Sequence, residues 1–90
     1  AAVQRKTDAN TGGGTISSTV QSTVFANSKL VSVNGSTVTT HGTSPNVHAG
    51  VITANGSSTV FAGGIAINRT GDADSCTHAR IGGSDDVFVG

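Results

Sequence analysis

The sequence predicts an all-β fold of short hairpins built from three internal repeats, and three observations predict it. All three aromatic residues stand in one repeated dipeptide, Val24-Phe25, Val60-Phe61 and Val87-Phe88, and the chain has no Tyr or Trp. Helix signals are nearly absent: Gly and β-branched residues run throughout, and no stretch holds a 3.6-residue apolar period over three turns. Short β-prone runs alternate with turn dipeptides such as Asn34-Gly35, Asn55-Gly56, Gly63-Gly64 and Gly82-Gly83, which supply the positive φ angles of tight hairpins.

In chain order, the predicted strands are 14–16, 20–26, 30–33, 37–39, 50–53, 59–62, 65–68, 79–81 and 86–89. Two copies of the repeat are easily read. Ser22-Thr23-Val24-Phe25-Ala26 matches Ser58-Thr59-Val60-Phe61-Ala62 at an offset of 36, which places Asn34-Gly35-Ser36 on Thr70-Gly71-Asp72, a turn on a turn. Each copy reads as a loop, a small-residue strand ending in Ile, a short turn, then the Val-Phe strand. Ile16, Ile52 and Ile81 mark the copies, and the spacing from Ile81 to Val87 makes the last hairpin a trimmed one. The Val-Phe words are expected to fill the core, with the three Phe in one layer across a pseudo-three-fold axis. Such a body also has two ends, and an apolar end face would need a partner.

Composition bounds the rest. Ninety residues make one domain, 1–90, with a thin core: three Phe and no Met or Trp. A chain of this size and composition needs a staple. Net charge is zero and the basic residues Arg5, Lys6, Lys29, Arg69 and Arg80 are scattered, which argues against nucleic acid. Disorder is disfavoured by the low net charge and abundant β-branched residues. No apolar run reaches membrane-spanning length, no signal-peptide pattern opens the chain, and Ala1 fits a removed initiator Met. One Cys allows no internal disulfide.

The chemistry is concentrated in the loops. The first, 8–14, is Gly-rich. The second, 36–50, holds His41 and His48; the third, 72–79, holds Cys76 and His78. Every His and the only Cys therefore fall in two equivalent loops, and equivalent loops around an axis converge at one end. Three imidazoles and one thiolate have the number and character of a closed tetrahedral structural zinc site, a donor set too soft for calcium or magnesium; iron is the less favoured alternative. Cys76-x-His78 would put both side chains on one side of an extended segment, and a turn at Pro45-Asn46 would bring His41 and His48 together. Zinc binding, on the order of 10 kcal/mol, would then serve as folding energy. The competing reading is four surface residues with no joint role.

No catalytic residues are assigned. Four ligands leave no open metal position, and the chain has no Glu to act as a base. A Cys76–His nucleophilic pair would lack aromatic residues to build a pocket wall. Asp8, Asp72, Asp74, Asp85 and Asp86 are expected to form turns.

The word Ser58–Gly64, followed by Ala66-Ile67-Asn68-Arg69-Thr70-Gly71-Asp72, resembles the PAAR-repeat family, whose phrase is Pro-Ala-Ala-Arg-x-Gly-Asp. Arg69, Gly71 and Asp72 match; the Pro and both Ala positions do not. Arg5-Lys6-Thr7-Asp8 resembles the same phrase with Thr7 in place of Gly, and the middle copy, Leu30 to Ser36, has neither the Arg nor the Asp. The resemblance covers nearly the whole chain. It implies a small conical tip whose metal site near the vertex uses three His and one Cys, here His41, His48, Cys76 and His78. It also implies a monomer whose wide base caps a trimeric β-helical spike in a contractile phage tail or a type VI secretion apparatus, made in the bacterial cytoplasm. Its work would be mechanical: helping to pierce the target cell envelope. The rival readings are a cargo adaptor on the spike, a redox or metal-sensing module using Cys76, and a fragment of an unrelated trimeric tail fibre, which would lack the ligand set.

Overall fold

A computed structural model describes residues 1–42 and 47–90. It is all-β, with no helix among the described residues. The strands are β1 (Ile16–Ser18), β2 (Phe25–Ala26), β3 (Lys29–Leu30), β4 (Thr37–Val38), β5 (Phe61–Ala62) and β6 (Ile65–Ala66). All pair antiparallel: β1 with β4, β2 with β3, and β5 with β6. The remaining predicted strands, 50–53, 79–81 and 86–89, survive as isolated bridges at Ile52, Thr53, Ala79, Arg80 and Phe88. In segments this short, pairing is carried by one or two residues at a time.

The two complete hairpins turn on two residues each. Asn27-Ser28 links β2 to β3 with φ of 54° and 66°, and Gly63-Gly64 links β5 to β6 with φ of 60° and 79°. Two successive positive φ angles match the right-handed twist of the flanking strands. The third Val-Phe word finds its partner elsewhere: Phe88 pairs with Ala2, and Ala1 and Val89 exchange hydrogen bonds of 2.9 Å each way. The expected trimmed hairpin is thus replaced by one assembled from both ends of the chain. In all three hairpins the Val carbonyl accepts the same bond, Val31 N–H to Val24 at 3.0 Å, Ile67 to Val60 at 3.1 Å, and Val3 to Val87 at 3.0 Å. The approach to each Val is capped alike, its N–H donating to Gln21 Oε1, Ser57 Oγ or Ser84 Oγ, all on buried residues.

Three turns follow the hairpins. Asp8 N–H bonds Arg5 O, Ser36 bonds Val33 and Asp72 bonds Arg69 at 3.0–3.1 Å, with φ of 81°, 88° and 93° at Thr7, Gly35 and Gly71. That is the geometry of a type II turn, whose third residue needs positive φ. In the first and last turns the carboxylate closes the ring by accepting from the Arg backbone N–H at 2.8 Å and pairing with the guanidinium at 2.9 Å. Ser36 Oγ performs the backbone part of this for Val33 at 3.3 Å. Asp8 and Asp72 are therefore turn formers, as expected.

Backbone bonds then link the segments in closed rings. Gln4 donates to Asn68, Asn68 to Ser32 and Ser32 back to Gln4, at 3.0, 2.9 and 2.8 Å. The residues just before these, Val3, Ile67 and Val31, are buried and form the main apolar cluster with Ala26, Val33 and Ala62. A second ring joins the loops: Thr11 to Ala79, Ser75 to Ile52, and Thr39 to Thr15, at 2.8–2.9 Å.

Two expectations about side-chain direction are overturned. The Phe residues do not fill the core: Phe25, Phe61 and Phe88 are 58, 56 and 62% exposed. Successive strand residues face opposite ways, and in the two complete hairpins the neighbouring Ala26 and Ala62 point inward. Nor are the three Ile equivalent. Ile16 is buried, whereas Ile52 and Ile81 are about half exposed. The backbone bond that Ile16 N–H makes to Asp8 is made by Thr53 to Ser36 and by Arg80 to Asp72. A one-residue slip in register turns a side chain from the core to solvent.

Candidate metal centre

His41, His48, Cys76 and His78 converge, with one potential ligand atom from each all lying within 4.8 Å of one another. His41 and His48 are held as a bridged pair by reciprocal backbone bonds, 3.0 Å from His41 N–H and 2.7 Å from His48 N–H. The Pro45-Asn46 turn expected between them lies outside the described residues. Cys76 and His78 converge by a different route from the one expected. They do not flank an extended residue: Thr77 has φ of 75° and donates its N–H to Asp74 O at 2.9 Å, so the pair sits on a tight turn. Asp74 N–H closes the same turn on His78 O at 2.8 Å.

His41 Nε2 lies 3.0 Å from His78 Nδ1, and Cys76 Sγ lies 3.5 and 3.4 Å from those two nitrogens. A tetrahedral zinc with bonds of about 2.0–2.1 Å to nitrogen and about 2.3 Å to sulfur would separate its ligands by about 3.3 Å and about 3.5 Å respectively. His41 Nδ1 is 2.8 Å from the carbonyl of Thr39, which fixes the ring as an Nδ1–H donor and leaves Nε2 free to ligate. His48 stacks on His78 with centroids 4.6 Å apart, and its Nδ1 is buried without a hydrogen-bond partner. Such an atom carries a penalty of about 1–3 kcal/mol, and a bound cation would relieve it. These residues fit a metal ion, and zinc is compatible with their chemistry.

The glycine loop is part of this site, though it supplies no ligand. A Cβ added at Gly12 would lie 2.4 Å from the His78 ring and 2.9 Å from that of His41; one at Gly14 would lie 2.4 Å from His41 Nδ1. The loop is free of side chains where the imidazoles occupy the space they would need. Asn10 shapes it, its Oδ1 accepting from Gly12 and Gly14 N–H at 2.9 Å each.

Next to the cluster lies a buried charge pair that the sequence reading missed. Arg80 and Asp74 are fully buried and meet at 3.1 Å, so Asp74 forms its turn through the backbone while its carboxylate pairs with a cation, and Arg80 is not a scattered surface charge. Arg80 also donates to Gly14 O at 3.1 Å, and Asn10 Nδ2 donates to Asp74 Oδ2 at 2.8 Å. Burial pulls the Arg80 guanidinium below its ordinary value, opposed by Asp74 and then by Asp8 and Cys76. The available signal was spacing: Asp74 and Arg80 stand two residues outside Cys76 and His78. The chain matches no protein-family model and no curated protein.

Proposed function

We propose that this protein is a structural, zinc-stabilised tip that caps the trimeric β-helical spike of a contractile injection machine, of a phage tail or a type VI apparatus, and helps it pierce the target envelope. The observation that carries the proposal is the exposure of Phe25, Phe61 and Phe88 at matching positions of three hairpins whose backbone bonds correspond one to one. On this reading the hairpins are three repeats about a pseudo-three-fold axis, and they form a base for a partner with true three-fold symmetry. The resemblance of Arg5–Asp8 and Arg69–Asp72 to the PAAR phrase is consistent with it.

At about 200 Å² per Phe, the exposed parts come to about 350 Å² of apolar surface. Covering it would release up to about 9 kcal/mol before the costs of association. His41, His48, Cys76 and His78 would hold the zinc at the opposite end, tying loop 36–50 to loop 72–79. The ion would supply cross-linking rather than chemistry: it would pin loops built mostly of small residues, so that the apex keeps its shape under load.

Calorimetric titration of the chain with the blunt end of the trimeric spike from the same source tests this. The expected stoichiometry is one chain per three spike chains. A Phe25→Ser, Phe61→Ser, Phe88→Ser variant should melt within a few degrees of the parent yet bind at least a hundredfold more weakly. Parent-like binding by that variant, or one chain bound per spike chain, would refute the proposal.

A further inference from the structure

The buried pair Asp74–Arg80 is an expensive choice for so small a fold. Ions withdrawn from water are stabilising only when their hydrogen bonds are complete, and here Asp74 Oδ1 and Arg80 Nε have no partners. The fold solves the corresponding problem elsewhere without charge. Asp74 N–H to His78 O corresponds to Val38 N–H to Val51 O, and Arg80 N–H to Asp72 O corresponds to Ile16 N–H to Asp8 O. The same bonds are made by Asn10 N–H to Gly14 O and by Thr53 N–H to Ser36 O, so the equivalents of the charged pair are Asn10 with Ile16 and Val38 with Thr53, all buried and none charged.

What distinguishes the charged version is its neighbour. Asp74 closes the turn that carries Cys76 and His78 through both its N–H and its carbonyl. Its carboxylate holds Asn10, which in turn gathers the amides of Gly12 and Gly14, the two glycines lying against the His78 and His41 rings. Arg80 ties down the same loop through Gly14 O. One connected set of side chains thus joins the turn bearing two ligands to the loop that backs the rings. It also balances charge: a dication held by one thiolate and three neutral imidazoles keeps a net positive charge, and Arg80 alone would add to it.

We propose that Asn10, Asp74 and Arg80 are the positioning residues of the metal centre, retained for the grip of the Cys76–His78 turn on its metal and not for the stability of the fold. This rests on the reading of the four-residue cluster as a metal site. Asp74 is the key member, because it both clamps Asn10 and neutralises Arg80.

The test separates metal affinity from apoprotein stability. Zinc affinity is measured by competition with a chromophoric chelator, and apoprotein stability by urea unfolding in EDTA, for the parent, Asp74→Asn, and the charge-free pair Asp74→Val/Arg80→Ile. Cobalt-loaded samples report the thiolate-to-metal absorption band. Both variants should bind zinc roughly 10–100-fold more weakly and shift the cobalt band, while the charge-free pair unfolds at the parent's urea midpoint or above it. Parent-like affinity and an unshifted band would overturn the inference. So would a charge-free pair that does not fold, since the pair would then serve the fold itself. A folded parent that takes up no zinc or cobalt would bring down the metal-site reading first, and this inference with it.

Discussion

Replacing Gly12 by Ala should weaken zinc binding at the His41–His48–Cys76–His78 cluster without costing the protein its fold. Gly12 does not have positive φ, so its backbone accepts Ala, and the effect is confined to what the new methyl meets. It would lie 2.4 Å from His78 Nδ1 and Cε1. Restoring an ordinary contact of about 3.4 Å requires the ring to retreat by about 1 Å, several times the tolerance of about 0.2 Å on a metal–ligand bond. In the apoprotein the ring can move at an overpacking cost of about 1–3 kcal/mol. In the loaded protein it cannot move and remain a ligand. Zinc affinity should fall at least about a hundredfold, which is about 2.7 kcal/mol. Gly13→Ala is the control. Gly13 has φ of 88° and nothing within 4 Å of an added Cβ, so Ala there costs about 1–2 kcal/mol of backbone strain in loaded and apo forms alike. Zinc titration and thermal melts with and without EDTA distinguish the two. Unchanged affinity in Gly12→Ala, or equal metal loss in Gly13→Ala, would refute the argument.

Cys76→Ala should bind much less zinc and melt about 20 °C or more below the loaded parent, since each kcal/mol lost is worth about 4–8 °C at this size. In EDTA the two should nearly coincide, and an unchanged melting temperature with zinc still bound would remove Cys76 from the site. Thr7→Gly should stabilise the fold by about 0.5–1 kcal/mol, because Thr7 holds a φ of 81° at the turn position where Gly35 and Gly71 stand, and the left-handed penalty exceeds the entropy Gly adds; chemical denaturation measures it, and a fall in stability would count against the turn reading. Hydrogen bonds from Asn27 and then Ser84 hold the Asp86 carboxylate below its ordinary range. A depressed folded value gives stability that is present above the ordinary carboxylate range and lost as pH falls through the folded value. Asp86→Asn should therefore flatten the pH dependence of stability on the acid side of the ordinary carboxylate range, as followed by acid titration of the melt.

The parts legible in the sequence were those with a local cause. Gly63-Gly64 announces a two-residue hairpin because few other residues tolerate two positive φ angles in a row, and the all-β class follows from many such signals. The four members of the His/Cys cluster were legible by counting, since the chain has no other Cys or His. What escaped depends on contacts distant in the chain. Val3 and Gln4 are buried, yet the opening Ala1-Ala2-Val3-Gln4 does not read as a strand; only bonds to Asn68, Ser32 and Val87, distant in sequence, fix it in place. Ile52 and Ile81 look like core residues by type and are turned outward by register. Phe looks like core everywhere, and here the strand alternation turns Ala26 and Ala62 inward and the neighbouring Phe25 and Phe61 outward. Arg80 and Asp74 pass for surface charges until the loops close over them.

The hairpin formed by Ala1–Val3 with Val87–Val89 bears on how the chain folds. The hairpins at Asn27-Ser28 and Gly63-Gly64 need only local closure, an event of about 1–10 μs. The third joins residues 88 apart in sequence and gains nothing until the intervening chain is in place. Val3 and Gln4, which it delivers, complete both the apolar cluster and the Gln4–Asn68–Ser32 ring. Folding should accordingly be slow for a chain of this length and all-or-none, with loop-closure entropy paid late. Tension applied at the two ends would open this hairpin bond by bond, like a zipper, before any other part of the fold bears load.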